Sequence, residues 1–576
     1  MVVWNLEHLY PIADIDKGLN DLLEKINEFK KYREKLQDNI DSCTFLQILR
    51  ELEKIMQLRS RIDGASYMYQ SENFKDNIRT TLRGKIDQKL AESENELLFF
   101  SLWFKEVEDR IAKPLVESSG LYRYYLESMR KLRDFTLLEK EEKIINLKDI
   151  SGKEGLIRIF DMIRNSFTFP WEGKEVVQAE LMVNARSPVK EKRHKAYNLL
   201  LQKYAEHGDV FAEIYKSLVA DWRNEYIQIR GFKTPILVRN IKNDVPDNVV
   251  DILLKVARRN TKIFQDFFLL KAKILDEPKI CRFDIYAPLL DLDVELTWEQ
   301  SKDMVLDAFK SFCPTAFDYA KEIFELQHVH SDLIPGKRQG AYCYTATKDV
   351  SPYVFMNYSG RLSDTFTLMH ELGHAIHGRA ARNQTEFTFH SSLPIAETAS
   401  TFSELILERK MIEESDERVQ INLTSTNIDN KYATIMRQAF FVIFEKDAHE
   451  LITNGATASE LDSLYLSNLK DQFDTAVELP DLFKHEWKYV PHFFHTPFYC
   501  YAYAFGDLLG LSLFDLYKKD QNGFPSKFMN FLSLGGSCSP TEAVESSFGI
   551  SLEDERFWQR GFDIIREDLD LLKNML

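Results

Sequence analysis

An α-rich architecture with a small β-sheet is what this 576-residue sequence predicts. Two patterns carry that expectation. Apolar residues recur at helical spacing over most of the chain, and strand-like runs are few and short. No Pro/Gly/Ser-rich linker, low-complexity tract or internal repeat interrupts the pattern. Near the start, Leu19, Leu22, Leu23, Ile26, Phe29 and Leu36 fall at helical spacing, and the stretch from Phe45 to Leu58 does the same. Both read as core stripes of packed helices. Residues 148–153 and 166–175, the latter around Pro170 and Gly173, read as loops, and Gly535-Gly536 reads as a turn. We place a division near residue 185, with an N-terminal helical part (1–185) and a second part (186–576).

The charge balance narrows the partners. A formal net charge of −16 disfavours nucleic acid and anionic membrane surfaces. Met1 to Tyr10 lack a basic segment followed by an apolar run, so no secretory signal is expected. No stretch of about 18 apolar residues suggests a membrane span. The six cysteines (43, 281, 313, 343, 500 and 538) are scattered without CxxC pairs. That pattern fits free thiols in a reducing cytoplasm. No phosphate-binding glycine loop and no GxSxG elbow is present, which leaves the nucleotide and serine-hydrolase readings little support.

The chemistry concentrates in His370-Glu371-Leu372-Gly373-His374, an HExxH pentapeptide. Residues four apart on a helix share a face, so both imidazoles can reach one metal ion. Catalytic zinc takes three protein ligands and keeps a position for water. Glu371 is placed to deprotonate that water. The surroundings favour a helix: Leu362, Phe366, Met369, Gly373 and Ile376 lie near one stripe. Ser363 or Asp364 reads as the cap and Gly378 as the stop. Gly373 costs about 1 kcal/mol inside a helix relative to Ala, so it is expected to admit a close neighbour.

A third ligand is sought in the next helical segment, which starts after Pro394 with Ser392 as its cap. We assign Glu397 as that ligand, with small neighbours (Ala396, Ala399, Ser400) that allow the two helices to approach. Glu404, seven residues on, is either a partner that orients a histidine or an ordinary solvated acid. Glu386 and His390 in the intervening loop are weaker ligand candidates. One zinc ion held by His370, His374 and Glu397 is expected.

These motifs resemble oligoendopeptidase F, in the thimet-oligopeptidase group of zinc peptidases. The resemblance runs over most of the chain. It is strongest at Gly336-Lys337-Arg338-Gln339-Gly340-Ala341-Tyr342-Cys343, Pro352 to Tyr358, Thr365 to His374 and Ile395 to Thr401. It is weaker at Trp4-Asn5-Leu6 with Leu9-Tyr10, and at Leu534-Gly535-Gly536-Ser537 with Ser539-Pro540. The resemblance implies a large helical peptidase with a deep substrate channel and a small sheet beside the HExxH helix. It implies two parts facing each other across that channel, the N-terminal one covering one side. It also implies that the strand-like run Tyr353 to Asn357 is an edge along which extended substrate pairs.

The resemblance further directs attention to Pro491 through Tyr503. Relatives use a His and Tyr residues from this region to hold the carbonyl and the oxyanion, which needs donors aimed where negative charge develops. We choose His492, Tyr499 and Tyr503. Tyr499 and Tyr503 would share a face if Pro497 starts a helix. His495 and Tyr501 stay open. The expected function is a zinc-dependent oligoendopeptidase of the cytoplasm, in which Glu371 activates water against internal bonds of short peptides. The alternatives are a dipeptidyl carboxypeptidase with the same ligand layout, a non-catalytic peptide-binding protein, and a helical structural protein with accidental histidines.

Overall fold

A computed structural model describes residues 3–290 and 294–576. Helices dominate, and five short strands are present among the described residues. The chain divides into two compact units built from alternating segments. The first comprises Met1–Asp134, Asp293–Lys410 and Leu516–Ile550, and the second Phe135–Leu292, Met411–Asp515 and Ser551–Leu576. The contiguous division at residue 185 remains a proposal.

The first unit opens with three long helices, Ile15–Lys30, Ser42–Ser71 and Asn77–Glu106. Asp41 and Asp76 cap the second and third, each carboxylate accepting from amides of the first turn. Leu19, Leu22, Ile26, Phe29 and Leu36 are buried in their common core with Phe45, Phe100 and Phe104. The stripe read from spacing is therefore the packing face.

A three-stranded sheet lies in the same unit. Its strands are β3 (Val329–His330), β4 (Tyr342–Tyr344) and β5 (Tyr353–Phe355), in the order β3-β5-β4. β5 pairs parallel with β3 and antiparallel with β4, with Cys343 opposite Val354. Trp4 packs on this sheet, 5.3 Å from the His330 ring and 5.4 Å from Phe355. The chain between β3 and β4 is fixed by Lys337, which is buried and donates to the carbonyls of Met356 (2.6 Å) and Asp332 (2.7 Å).

In the second unit, β1 (Thr168–Trp171) and β2 (Lys174–Val177) form an antiparallel hairpin. Glu172 and Gly173 turn it at positive φ (49° and 85°). The expected loop at 166–175 is thus mostly strand, because Phe169, Trp171 and Val176 bury one face of the hairpin. The loop expected at 148–153 is also corrected. Helices Glu139–Ser151 and Lys153–Asn165 meet at Gly152 with almost no connection.

Candidate metal centre

The HExxH motif sits on the helix Leu362–Ala380. Asp364, in the first turn, accepts from the amides of Ser359 (2.7 Å) and Arg361 (3.1 Å), so it secures the start from inside the helix and is not the cap itself. Gly378 does not stop the helix. A Cβ there would lie 2.7 Å from Thr345 Cγ2, so this glycine admits the chain that follows β4. Leu368, Met369, Leu372, Ala375 and Ile376 are all buried, a wider apolar surface than one stripe. The helix is enclosed by β4, β5 and the helices Trp298–Phe312, Pro314–Glu325 and Phe524–Ser533.

Gly373 is where the helix Leu393–Glu414 passes. A Cβ at Gly373 would lie 2.6 Å from Ser400 Cα and 2.7 Å from the Ala399 carbonyl oxygen. No side chain fits at that crossing. The close approach carries Glu397 to the histidines. Ser400 Oγ donates to the Glu397 carbonyl (2.9 Å) and to its Oε2 (3.1 Å), which fixes the carboxylate. The Ser392 hydroxyl makes no hydrogen bond among the described residues, so it does not cap this helix as expected.

His370 Nε2 and His374 Nε2 lie 3.2 Å apart, and Glu397 Oε2 is 3.4 Å from the first and 3.5 Å from the second. Four ligands at about 2.05 Å in tetrahedral array are about 3.3 Å from one another. The donor set therefore fits zinc in both chemistry and spacing. Burial opposes ionisation of Glu397, but the two imidazoles beside it hold its carboxyl well below the usual range. A charged carboxylate is the form a cation requires. His370 Nδ1 lies 2.5 Å from Glu404 Oε1, which fixes the ring with Nε2 turned to the cluster. Between the two roles considered for Glu404, the structure shows the orienting partner.

Glu371 is buried beside this cluster. Burial raises its carboxyl above the ordinary value, with His370 and His374 pulling it partly back and the Cys343 amide hydrogen-bonded to it. The group thus faces β4. A cavity of about 430 Å³ holds Glu371, the three donors, Tyr342, Thr345, His377 and the Phe389–Ser391 segment. Glu386 lies elsewhere, its Oε1 accepting from the Lys348 amide at 3.2 Å. His390 lines the cavity but stands outside the donor cluster.

The second unit carries the aromatic segment. Helices Pro491–His495 and Tyr501–Lys519 bracket a turn, so Pro497 starts no helix and Pro491 does. Tyr499 and Tyr503 nevertheless meet, with ring centroids 5.2 Å apart. His492 stacks on Tyr499 at 5.6 Å and meets Tyr503 edge-on at 5.9 Å. Burial, with His495 and Arg437, lowers the His492 imidazole, which keeps it neutral at neutral pH. The two open residues point elsewhere. Tyr501 is fully buried with its hydroxyl 2.8 Å from Asn243 Nδ2, and His495 Nε2 lies 3.0 Å from Asp161.

Residues 322–564 match the family model of Peptidase family M3. Oligopeptidase PepF of Bacillus subtilis is 24% identical over 593 residues, covering 100% of this chain and 87% of that protein. The oligoendopeptidase F homolog of Lactococcus lactis is 26% identical, covering 92% of this chain and 89% of its own. The chain is similar to the oligoendopeptidase F peptidases over nearly its whole length. Solved structures agree in fold. The crystal structure of oligoendopeptidase-F from Enterococcus faecium superposes with a TM-score of 0.73 at 18% identity, over 98% of this chain and 99% of that one. A protein of Chlamydophila abortus reaches 0.88 at 22% identity, over 100% and 98%.

Set against the resemblance to oligoendopeptidase F, one expectation is corrected. Tyr353–Phe355 is the middle strand, paired on both sides and buried, so it offers no free edge. The edge facing the cavity is β4, Tyr342–Tyr344, which is half-buried. Its Tyr-Cys-Tyr sequence gives no alternation to distinguish it. His377 was also missed. It lies on the HExxH helix, buried, with Nε2 unbonded among the described residues and lining the cavity. Its spacing of three from His374 was the available signal. Gly535 and Gly536 do more than turn the chain. A Cβ at Gly536 would lie 2.2 Å from the His390 carbonyl oxygen, and the Gly536 amide donates to Thr388 O at 2.7 Å. The pair is a backbone support beneath the loop that lines the cavity.

Proposed function

We propose that this peptidase is a zinc-dependent oligoendopeptidase acting on internal bonds of short, unstructured peptides. The observation that carries the reading is the set of three donor atoms, 3.2, 3.4 and 3.5 Å apart, with buried Glu371 alongside. When bound there, zinc would act as Lewis acid toward the scissile carbonyl and activate water near neutral pH. Glu371 takes the proton of the attacking water and returns it to the leaving amine, base first and acid second. Its raised carboxyl suits both duties. The β4 edge presents backbone groups to an extended peptide, a pairing that depends little on side-chain sequence. That suits broad action on flexible peptides. Neutral His492 with Tyr499 and Tyr503 is our assignment for the donors that steady the oxyanion.

The test is an internally quenched peptide blocked at both ends, assayed with chelator, with zinc restored, and beside Glu371→Gln. Chelator-sensitive cleavage, and a variant that keeps zinc but loses at least about 100-fold in turnover, are expected. Trimming of free-ended peptides only would convert the reading to the dipeptidyl carboxypeptidase. Binding without cleavage by the zinc-loaded protein would convert it to a peptide-binding protein. Full activity of Glu371→Gln at equal zinc content would remove Glu371 from the chemistry.

A further inference from the structure

The turn that carries Tyr499 is held by groups with no part in the proposed chemistry. Phe498 sits at φ 57°, a left-handed conformation that costs a residue with a side chain about 1–2 kcal/mol. Its amide donates to Glu445 Oε1 at 2.9 Å. Glu445 comes from the helix Arg437–Thr453 and is 1% exposed. Its other oxygen, Oε2, makes no hydrogen bond among the described residues. Arg239 Nε donates to the Pro497 carbonyl at 3.2 Å from a second helix, Leu237–Asn243. The Phe498 ring is packed 4.7 Å from that of His449, which is buried. The turn is thus pinned at consecutive residues from two sides.

Its geometry decides where Tyr499 goes. The Tyr499 amide donates to Thr496 O at 3.2 Å, closing the turn, and the Tyr499 carbonyl accepts from Ala502 N at 3.1 Å, entering the next helix. Were Phe498 to relax to negative φ, the backbone on its C-terminal side would rotate. Tyr499 would then leave the face of His492. Carrying a carboxyl into an apolar interior is expensive, and a main-chain amide alone would be served as well by a carbonyl or a water.

We infer that Glu445 is a positioning residue: its bond to the Phe498 amide holds the left-handed turn that sets Tyr499 against His492 and Tyr503. The inference rests on the reading of those residues as oxyanion donors. Burial pushes the Glu445 carboxyl up to about 8, so the group is neutral at neutral pH and a neutral amide can replace it.

The experiment compares Glu445→Gln, which keeps an acceptor, with Glu445→Met, which fills similar volume without one. Glu445→Met leaves the buried Phe498 amide without its acceptor, at a cost in stability, so melting temperature and zinc content are read on both variants to separate misplacement from unfolding. Glu445→Met is expected to lose about 100-fold in kcat, the effect of misplacing one catalytic group, with KM and zinc content unchanged. Glu445→Gln is expected to retain most of the turnover. Adding Tyr499→Phe to Glu445→Met should then cost little more, because the two act on one group. Wild-type kcat in Glu445→Met overturns the inference, as does a Glu445→Gln as slow as Glu445→Met. A fully multiplicative loss in the double variant overturns Tyr499 as the route. If Tyr499→Phe and Tyr503→Phe each turn over at the wild-type rate, the oxyanion reading itself fails, whatever Glu445 does.

Discussion

Gly373→Ala adds one methyl group at the tightest point of the proposed metal site. The added Cβ would lie 2.6 Å from Ser400 Cα, whereas carbon atoms rest at about 3.5 Å or more. The two helices must therefore part locally by roughly 0.9 Å. Ser400 is hydrogen-bonded to Glu397, so the carboxylate moves with it. Its separations from His370 and His374, now 3.4 and 3.5 Å, would exceed the tetrahedral edge of about 3.3 Å by far more than the ~0.2 Å a metal site tolerates. Helix propensity alone favours the variant, since Ala is better than Gly by about 1 kcal/mol. The steric penalty of about 1–3 kcal/mol opposes it. We expect zinc affinity to fall at least about 10-fold, by analogy with lost supporting contacts, and turnover at saturating zinc to fall about 100-fold. Chelator competition measures the first, the quenched peptide the second, and a thermal melt separates both from unfolding. A Gly373→Ala protein that binds zinc and cleaves peptide like the wild type would show that the crossing does not set the site.

Three other outcomes are expected. Glu397→Ala should lose zinc outright while remaining folded, and tight retained zinc would move the third ligand elsewhere. Glu404→Ala frees His370 Nδ1 and should lower zinc affinity by about 10–100-fold; unchanged affinity in chelator competition would make that contact incidental. His328 and His330 are each held at about 4, chiefly by burial. Folded values below the unfolded 6.5 mean that their contribution is complete above pH 6.5 and is lost as pH falls toward 4. The loss by pH 5 is about 2 kcal/mol for each. His328→Gln should flatten that part of the stability profile, and an unaltered slope between pH 6.5 and 5 would refute the assignment.

Much of the site was legible because its signals are local. HExxH spacing places two donors on one helical face whatever surrounds it, and Pro394 with small residues announces the helix that brings Glu397. The Tyr499 and Tyr503 rings meet although the helix expected from Pro497 does not form. A left-handed turn at Phe498 supplies the geometry instead, and nothing in a phenylalanine announces it. The free edge was misassigned for a similar reason. Val329–His330 pairs with Tyr353–Phe355 across more than twenty residues, and that pairing, invisible to a local pattern, makes the expected edge a middle strand.

The sequence by itself determined the helical class, the candidate donor residues, their spacing and the resemblance to oligoendopeptidase F, since each rests on periodicity or motif within a few turns of chain. Tertiary structure alone decided which contacts serve them: Glu404 on His370, Ser400 against Gly373, β4 as the open edge, Asn243 withdrawing Tyr501, and Glu445 beneath Phe498. Each of these joins residues through space, and the distance that gives it meaning exists only once the chain is packed.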